Sequence, residues 1–514
     1  MTATYNSRIT VKSGYCIGGT TGRIVPVQVA IDPASRFTYA SDRPDAARAK
    51  NRILPALRSV GLDLQCHPCR LTVAASGLDT TPPTLDLATA VAILTAFGIT
   101  PLRARRLVFM GELALDGRVL PTQSPISLEH QLGDADTIIV PYACLNQAGL
   151  LKTQHPHRTI LGADTLGNVV DALNSQIGLP KPSMKYRHAR VNPGIDLADY
   201  KGQCAIRRAL EIAAAGGHGA YIVGPAGEGK SMAMKALPGL LPPLETSDTV
   251  ELTCLYHQAG LLAPDECVVD RPYRELGPTS SRQALLGGGS DHEIVPGEVT
   301  LAHRGVLAID ELPELPRSAI EAIRRPMQDG TVVISRRGHS VQFPCQFMLV
   351  ATGNECPCGH WPHCTCTTPE IRRYQRRISG AVLDRIDIKV RADKLPLETQ
   401  LDESIRESSE DVRDRVVLAK QLMVDRCRSL GLQPMPNAQL PPAMITHLAM
   451  TRCAREELEQ LGGRYSQLTT RSVVKIRLVA QTIADLSGMP SINRRHIAEA
   501  AQWVLGGQAA IQHH

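Results

Sequence analysis

The stretch Gly224-Pro225-Ala226-Gly227-Glu228-Gly229-Lys230-Ser231 decides the fold. It fits the pattern Gly, four residues, then Gly-Lys-Ser/Thr, and its flanks supply the strand, loop and helix that such a motif needs. The apolar run Ala220-Tyr221-Ile222-Val223 enters it, and a helix-compatible stretch with Met232, Met234, Ala236 and Leu237 leaves it. Glycines let backbone N–H groups turn inward around phosphate oxygens, and the helix N-terminus adds partial positive charge. In this cradle Lys230 is expected to meet the β- and γ-phosphates of ATP, and the Ser231 hydroxyl to ligate Mg²⁺.

Two further apolar runs close on polar residues. Residues 305–311 read as a buried strand ending in Asp310 and Glu311, and residues 347–354 as another ending in Asn354. Parallel sheets gather functional groups at the C-terminal ends of their strands, so these three are expected above the same sheet edge as the phosphate loop. Asp310 is then the Mg²⁺ partner, directly or through water, and Glu311 polarises the attacking water. Asn354 orients that water or touches the γ-phosphate. Ahead of the loop, Ala205, Ile206, Ala209, Leu210, Ile212 and Ala213 recur at helical spacing, and Gly216-Gly217 supplies a stop.

A chain of 514 residues exceeds one core, and about three domains are expected. Lys plus Arg at 56 against Asp plus Glu at 50 gives +6, which neither demands nor excludes nucleic acid. No apolar stretch approaches the roughly 20 residues of a membrane helix, and the N-terminus lacks the order of a signal peptide. The expected compartment is the cytoplasm, where the 14 cysteines are reduced, buried or metal-bound.

Residues 1–177 read as mixed α/β. Val25–Ile31 is an expected strand, placed at an edge because Pro26 cannot donate to a ladder. Leu71–Ala75 and Thr137–Pro141 are further strands, Leu87–Phe97 is a buried helix, and Asp116-Gly117 is a tight hairpin turn. Residues 178–194 have linker composition, 195–395 hold the phosphate-loop region, and 396–514 read as helical. Helices are expected over Val412–Cys427, Met444–Leu461, Arg471–Leu486 and Asn493–Val504.

Two segments are candidates for DNA contact. Residues 331–343 alternate apolar positions around the tip Arg336-Arg337-Gly338, the pattern of a β-hairpin. Basic tips of this kind grip phosphates without reading bases. The second candidate is Arg271–Ser290. Between Cys356 and Cys366 lie four thiols and two imidazoles. That density points to a tetrahedral zinc site of Cys356, Cys358, Cys364 and Cys366, a structural clip rather than a catalytic centre. The alternative is a loop of reduced thiols.

Together, 208–218, Leu286-Gly-Gly-Gly-Ser290, 296–307, Asp310-Glu-Leu-Pro-Glu314, Asn354-Glu-Cys-Pro-Cys-Gly359 and 379–388 resemble the ComM/YifB family of magnesium-chelatase-like AAA+ ATPases over nearly the whole chain. The resemblance implies an α/β protein with an N-terminal Lon-protease-like (ribosomal S5 domain 2-like) α+β domain, an AAA+ P-loop α/β core and a C-terminal helical lid. It implies a homo-hexameric, ATP-driven DNA helicase that promotes branch migration in recombination or natural transformation, acting on single-stranded or branched DNA. The alternative is a chelatase-type motor subunit that remodels a protein partner. Carried onto this sequence, Arg385 looks like the arginine finger that reaches a neighbour's ATP, and Arg471, with Arg477 as rival, like the lid arginine that senses the γ-phosphate. The hairpin with Arg336 and Arg337 is similar to one that lines the pore of related motors. A family His pair is replaced here by Glu275-Leu276-Gly277-Pro278, and the loop departs from the common family form at Ala226, Glu228 and Ser231. Glu228 then brings a negative charge towards the phosphates. Lon-type proteases need a serine nucleophile and a lysine base. Thr84 and Ser124 lie in the matching neighbourhoods without an activating base, so the domain is expected to be a scaffold that has lost its chemistry.

Overall fold

The computed structural model describes residues 12–20, 23–41, 45–75, 82–101, 106–122, 125–133, 136–153, 155–174, 177–183, 187–189, 191, 194–289, 294–336, 339–360, 363–401, 406–465 and 468–512. The chain forms two compact units, one of Met1–Ala189 with Glu245–Val269, the other of Arg190–Leu244 with Asp270–His514.

The first unit is built on a seven-stranded sheet in the order Thr38–Ser41, Cys69–Ala75, Arg23–Pro33, Lys12–Thr20, Leu107–Phe109, Thr137–Pro141, Thr159–Ala163. The helix Asp86–Ala96 buries every residue except Thr95. It approaches the sheet so closely that a Cβ on Gly14 would fall 1.9 Å from the Ala92 carbonyl oxygen, so only glycine fits there. The expected edge position of Val25–Ile31 is wrong, because its strand lies between two others. Among the described residues the ladder to Cys69–Ala75 begins at Val27, and Pro26 is paired only with Ile17 of Lys12–Thr20. The Asp116-Gly117 hairpin is present, with Glu112–Leu113 paired to Val119–Leu120 and Gly117 at φ +86°.

The segment 245–269 belongs to this first unit although it interrupts the phosphate-loop region in sequence. Its helix Thr246–Gln258 and short strand Glu266–Cys267 bring Val250 and Cys267 into an apolar cluster with Val108, Ile126 and Leu145. The side-chain amide of Gln147 donates to the Glu266 carbonyl at 2.7 Å.

The second unit carries a five-stranded sheet in the order Tyr273–Leu276, Val306–Ile309, Met348–Gly353, Ala220–Val223, Ile388–Arg391, with every pair parallel. Its three central strands, Val306–Ile309, Met348–Gly353 and Ala220–Val223, are near-continuous apolar runs and wholly buried, while the edge strands Tyr273–Leu276 and Ile388–Arg391 carry charged residues. Helices Ser409–Ser429, Arg452–Arg464, Thr470–Leu486 and Arg494–Gln512 follow. They do not form a core of their own: Val416, Val479 and Ile497 share one buried cluster with Ile206 and Leu237. The expected helix over Met444–Leu461 is broken into Pro442–Ile445 and Arg452–Arg464. Thr451 accepts from the Ala454 N–H and starts the second piece.

Tyr273–Leu276, within the second DNA-contact candidate, is a strand of the main sheet. Arg271 donates to the carbonyls of Pro242 (2.5 Å) and Arg304 (2.6 Å), and Arg274 pairs with Glu298 at 2.6 Å, so both arginines serve the fold. Among the described residues no helix is long and apolar enough to cross a membrane.

Candidate nucleotide site and arginine pair

Strand register sets the site. Val223 lies opposite Gly353, and Ile309 opposite Ala351, so the phosphate loop, Asp310 and Asn354 leave the sheet along one edge. Gly227 (φ +84°) and Gly229 (φ +75°) take left-handed backbone, and a Cβ on Gly229 would meet the Tyr200 ring at 2.9 Å. The loop can therefore curl only with glycine at these positions.

A ring of hydrogen bonds, closed through the Lys230–Ser231 peptide link, joins the expected residues. Lys230 Nζ donates to the carbonyls of Gly224 (2.8 Å) and Pro225 (2.5 Å) and to Asn354 Oδ1 (3.1 Å). Asn354 Nδ2 reaches Glu311 Oε1 at 3.4 Å. The Glu311 N–H donates to Thr352 Oγ1 (3.0 Å), and that hydroxyl donates to Asp310 Oδ1 (2.5 Å). Ser231 Oγ donates to Asp310 Oδ2 at 2.9 Å and closes the ring. Burial lowers the Lys230 ammonium from its ordinary value, opposed by the charges of Asp310, Glu311, Glu228 and Glu355. Glu311 sits at φ +54°, a conformation that costs a non-glycine residue roughly 1–2 kcal/mol and needs support from its neighbours.

Thr352 was missed by sequence reasoning, although a hydroxyl in an otherwise apolar buried strand was the available signal. Glu228, whose charge acts on Lys230, has a further contact. Its carboxylate accepts from the Leu395 N–H at 3.1 Å, tying the loop to the chain beyond Ile388–Arg391. The loop's other anchors are Gly224 N–H to the Gly353 carbonyl (3.2 Å) and Ala226 N–H to the Gly359 carbonyl (3.0 Å).

Arg385 and Arg471 are grouped with each other, with partners outside the phosphate loop. Arg385 donates to the Ala381 carbonyl (2.7 Å) and to Gln328 Oε1 (2.6 Å). Burial and the adjacent guanidinium groups of Arg471 and Arg324 lower it from the ordinary arginine value. Arg471 is exposed and lies 3.9 Å from Asp384. The rival Arg477 is half-buried and donates to the Ile445 carbonyl at 2.5 Å, which gives it a structural task. A buried network fixes this region. Lys475 reaches Asp387 at 3.2 Å and the Ile386 carbonyl at 2.9 Å, while His218 joins Asp387 (2.9 Å) to Thr482 (2.8 Å). Asn437 donates to Thr482 and to Asp485, and Asp485 pairs with Arg426 at 2.7 Å.

The four cysteine sulfurs of Cys356, Cys358, Cys364 and Cys366 lie within 4.8 Å of one another. A zinc tetrahedron with bonds of ~2.3 Å has S···S edges of about 3.8 Å, so this donor set fits the ion. A hydrogen bond from the His360 backbone lowers the Cys358 thiol to about 7, while the hydrogen bond to Cys358 pushes Cys366 up to about 12, so the two thiols share a proton between them. Thr331–Arg336 and His339–Pro344 form the expected hairpin, with Val332 and Ile334 buried and Val333 exposed. The structure describes only the backbone of Arg336, and the tip residues Arg337 and Gly338 lie outside the described residues. In the first unit Thr84 is buried, and Ser124 lies outside the described residues.

Family comparison follows the same layout. Residues 196–400 match the family described as magnesium chelatase, subunit ChlI, residues 406–503 match its C-terminal family, and residues 41–143 match a further ChlI family. The chain is 32% identical to the competence protein ComM of Haemophilus influenzae over 479 residues, covering 90% of each. It is 31% identical to the protein YifB of Escherichia coli over 465 residues, covering 88% of each. The magnesium-chelatase 38 kDa subunit of Rhodobacter capsulatus is 25% identical over 342 residues, 62% of this chain and 88% of that subunit. The identity and coverage of these relatives, with the chelatase-family matches along the chain, show that this protein belongs to the ComM/YifB family of magnesium-chelatase-like AAA+ proteins.

Proposed function

We propose that this AAA+ ATPase is an ATP- and Mg²⁺-dependent DNA motor that works as a hexameric ring and promotes branch migration. The observation that carries the reading is the closed ring from Lys230 through Asn354, Glu311, Thr352 and Asp310 to Ser231, set at the phosphate loop while Arg385 is engaged elsewhere. Such a site has everything for hydrolysis except a cation for the charge that develops on the transferred group, and a neighbouring subunit's Arg385 supplies it.

The residues divide the work. Gly224 through Ser231 cradle the phosphates of ATP, and Lys230 places its ammonium on the β- and γ-oxygens. Ser231 and Asp310 would hold Mg²⁺, which would supply charge neutralisation at those phosphates. Glu311 polarises the attacking water, with Asn354 holding both Glu311 and Lys230 in place. Arg385 and Arg471, side by side, act on the neighbour's ATP rather than on their own subunit's. The hairpin 331–344 carries Arg336 and Arg337 to DNA phosphates in the pore. The cysteine tetrad holds a structural zinc ion. The first unit is a Lon-protease-like scaffold that has lost its serine–lysine dyad.

Likeness to a competence protein over most of its length supports DNA as the partner. The second reading, a motor that remodels a protein, is favoured by the chelatase-family matches. One assay separates them. Single-stranded or forked DNA should raise ATP turnover several-fold and the protein should displace a labelled strand, with Lys230→Ala inactive in both. ATP turnover that ignores DNA, with no strand displaced, would remove the helicase reading and leave the protein-remodelling one.

A further inference from the structure

The segment that follows Met348–Gly353 touches the phosphate loop twice. At its start the Gly353 carbonyl accepts from the Gly224 N–H at 3.2 Å, and six residues on the Gly359 carbonyl accepts from the Ala226 N–H at 3.0 Å. Between these points lie two of the four clustered thiols. The Gly359 N–H donates to the Cys356 carbonyl at 3.1 Å, so the residue that holds Ala226 is itself hung from a member of the tetrad. Gly359 adopts φ +73°, and a Cβ there would lie 3.1 Å from the Ala226 Cβ and 3.7 Å from the Asn354 side chain. The turn is thus pressed against both the phosphate loop and the residue that bonds Lys230.

Apolar burial does not explain why this turn keeps its shape. Cys356 is fully buried, but Cys358 is exposed and Cys364 and Cys366 are half-buried. Glu355, Cys356 and Gly359 are buried and Arg391 holds Glu355 at 3.0 Å, so the start of the arm is tied down, while the part that carries Cys358, Cys364 and Cys366 has little apolar cover and four thiolate bonds to one ion would fix it. Alanine at 226 matters as well, since proline there would have no N–H to give.

Resting on the nucleotide-site reading above, we propose that the zinc ion bound by Cys356, Cys358, Cys364 and Cys366 buttresses the phosphate loop through Gly359 and Ala226, so that zinc occupancy sets nucleotide affinity. Zinc is then a resident regulator of the ATPase as well as a clip for its own loop. Loss of the ion by chelation loosens the cradle at Ala226 while leaving Lys230, Ser231, Asp310 and Glu311 unchanged.

The test uses the full chain and a fluorescent ADP analogue titrated in Mg²⁺, with zinc per chain measured by atomic emission. The expected results are one zinc per chain and a Kd that weakens about three- to tenfold when zinc is released with a mercurial and removed, the loss expected for one backbone anchor. Cys364→Ser with Cys366→Ser should reproduce that loss with an unchanged far-ultraviolet circular dichroism spectrum. Ala226→Pro should keep its zinc, and its Kd should no longer respond to zinc removal. A chain without zinc, a Kd unmoved by zinc loss, or an Ala226→Pro variant that still responds fully would each overturn this inference while leaving the nucleotide reading intact. Failure of the zinc-loaded, unmodified chain to bind nucleotide would overturn both.

Discussion

Thr352→Val is the sharpest single perturbation of the candidate site. The substitution keeps the shape of a side chain that is wholly buried and removes only a hydroxyl. That hydroxyl donates to Asp310 at 2.5 Å and accepts from the Glu311 N–H at 3.0 Å. A bond to a charged acceptor contributes about 1.5–3 kcal/mol, and the half-buried state of Asp310 sets it near the lower end. Loss of the acceptor of the part-buried Glu311 N–H adds about 0.5 kcal/mol. The sum, roughly 2 kcal/mol, should appear as a lower urea midpoint with an unchanged slope. Activity should suffer more than stability. Glu311 holds a left-handed backbone that nothing else in the ring supports at its N–H, and a shift of about 1 Å in a catalytic group can cost 10²-fold. Steady-state ATPase measurements should therefore show kcat down about 10- to 100-fold with KM nearly constant, and Thr352→Ser should restore most of it. A Thr352→Val enzyme with kcat within twofold of the parent would refute the role given to this ring.

The arginine assignment predicts complementation: Arg385→Ala should lose about 10³-fold in turnover while binding nucleotide normally, and mixing it with Glu311→Gln should recover activity at hybrid interfaces. No recovery would place Arg385 outside the neighbour's site. For Asp387, burial pushes the carboxyl up, but the hydrogen bond from His218 and the Lys475 ammonium outweigh it and hold the group below its ordinary value. A folded value lowered in this way contributes stability above the usual carboxylate range of about 4 that is lost as pH falls through the lowered value. Asp387→Asn should therefore cost roughly 3 kcal/mol in urea unfolding at pH 7, with the difference from the parent shrinking below about pH 4. Finally, a chain cut to Arg190–His514 should aggregate, because Val250 and Cys267 lose the cluster that buries them. Replacing 245–269 by a short Gly/Ser linker should restore a monodisperse product in light scattering, and persistent aggregation would contradict the assignment of that segment to the first unit.

What the sequence made legible was local. The phosphate loop, the run to Asp310 and the run to Asn354 are each encoded within about ten neighbouring residues, and parallel-sheet geometry then places them on one edge. The features that escaped depend on partners far apart. Glu228 with Leu395, Ala226 with Gly359, and His218 with Asp387 and Thr482 join residues more than 100 positions apart, and no local period records such pairings. The same cause explains the errors. Pro26 suggests an edge only if the ladder on its second side is assumed to reach it, and 445–451 carry apolar residues at helical spacing while the chain turns. The move of 245–269 into the first unit left no trace because its helix pattern suits either core.

The chain of contacts from Arg426 through Asp485, Asn437, Thr482 and His218 to Asp387 runs from the C-terminal helices to the start of the sheet's last strand without a gap. Its middle members are buried, so no water can exchange into it cheaply. Lid and core of one subunit consequently behave as a single lever, resisting hinge motion between them. In the proposed ring, the strain of each hydrolysis would then be released at the seams between subunits, and the step of the proposed motor would be set there rather than within one chain.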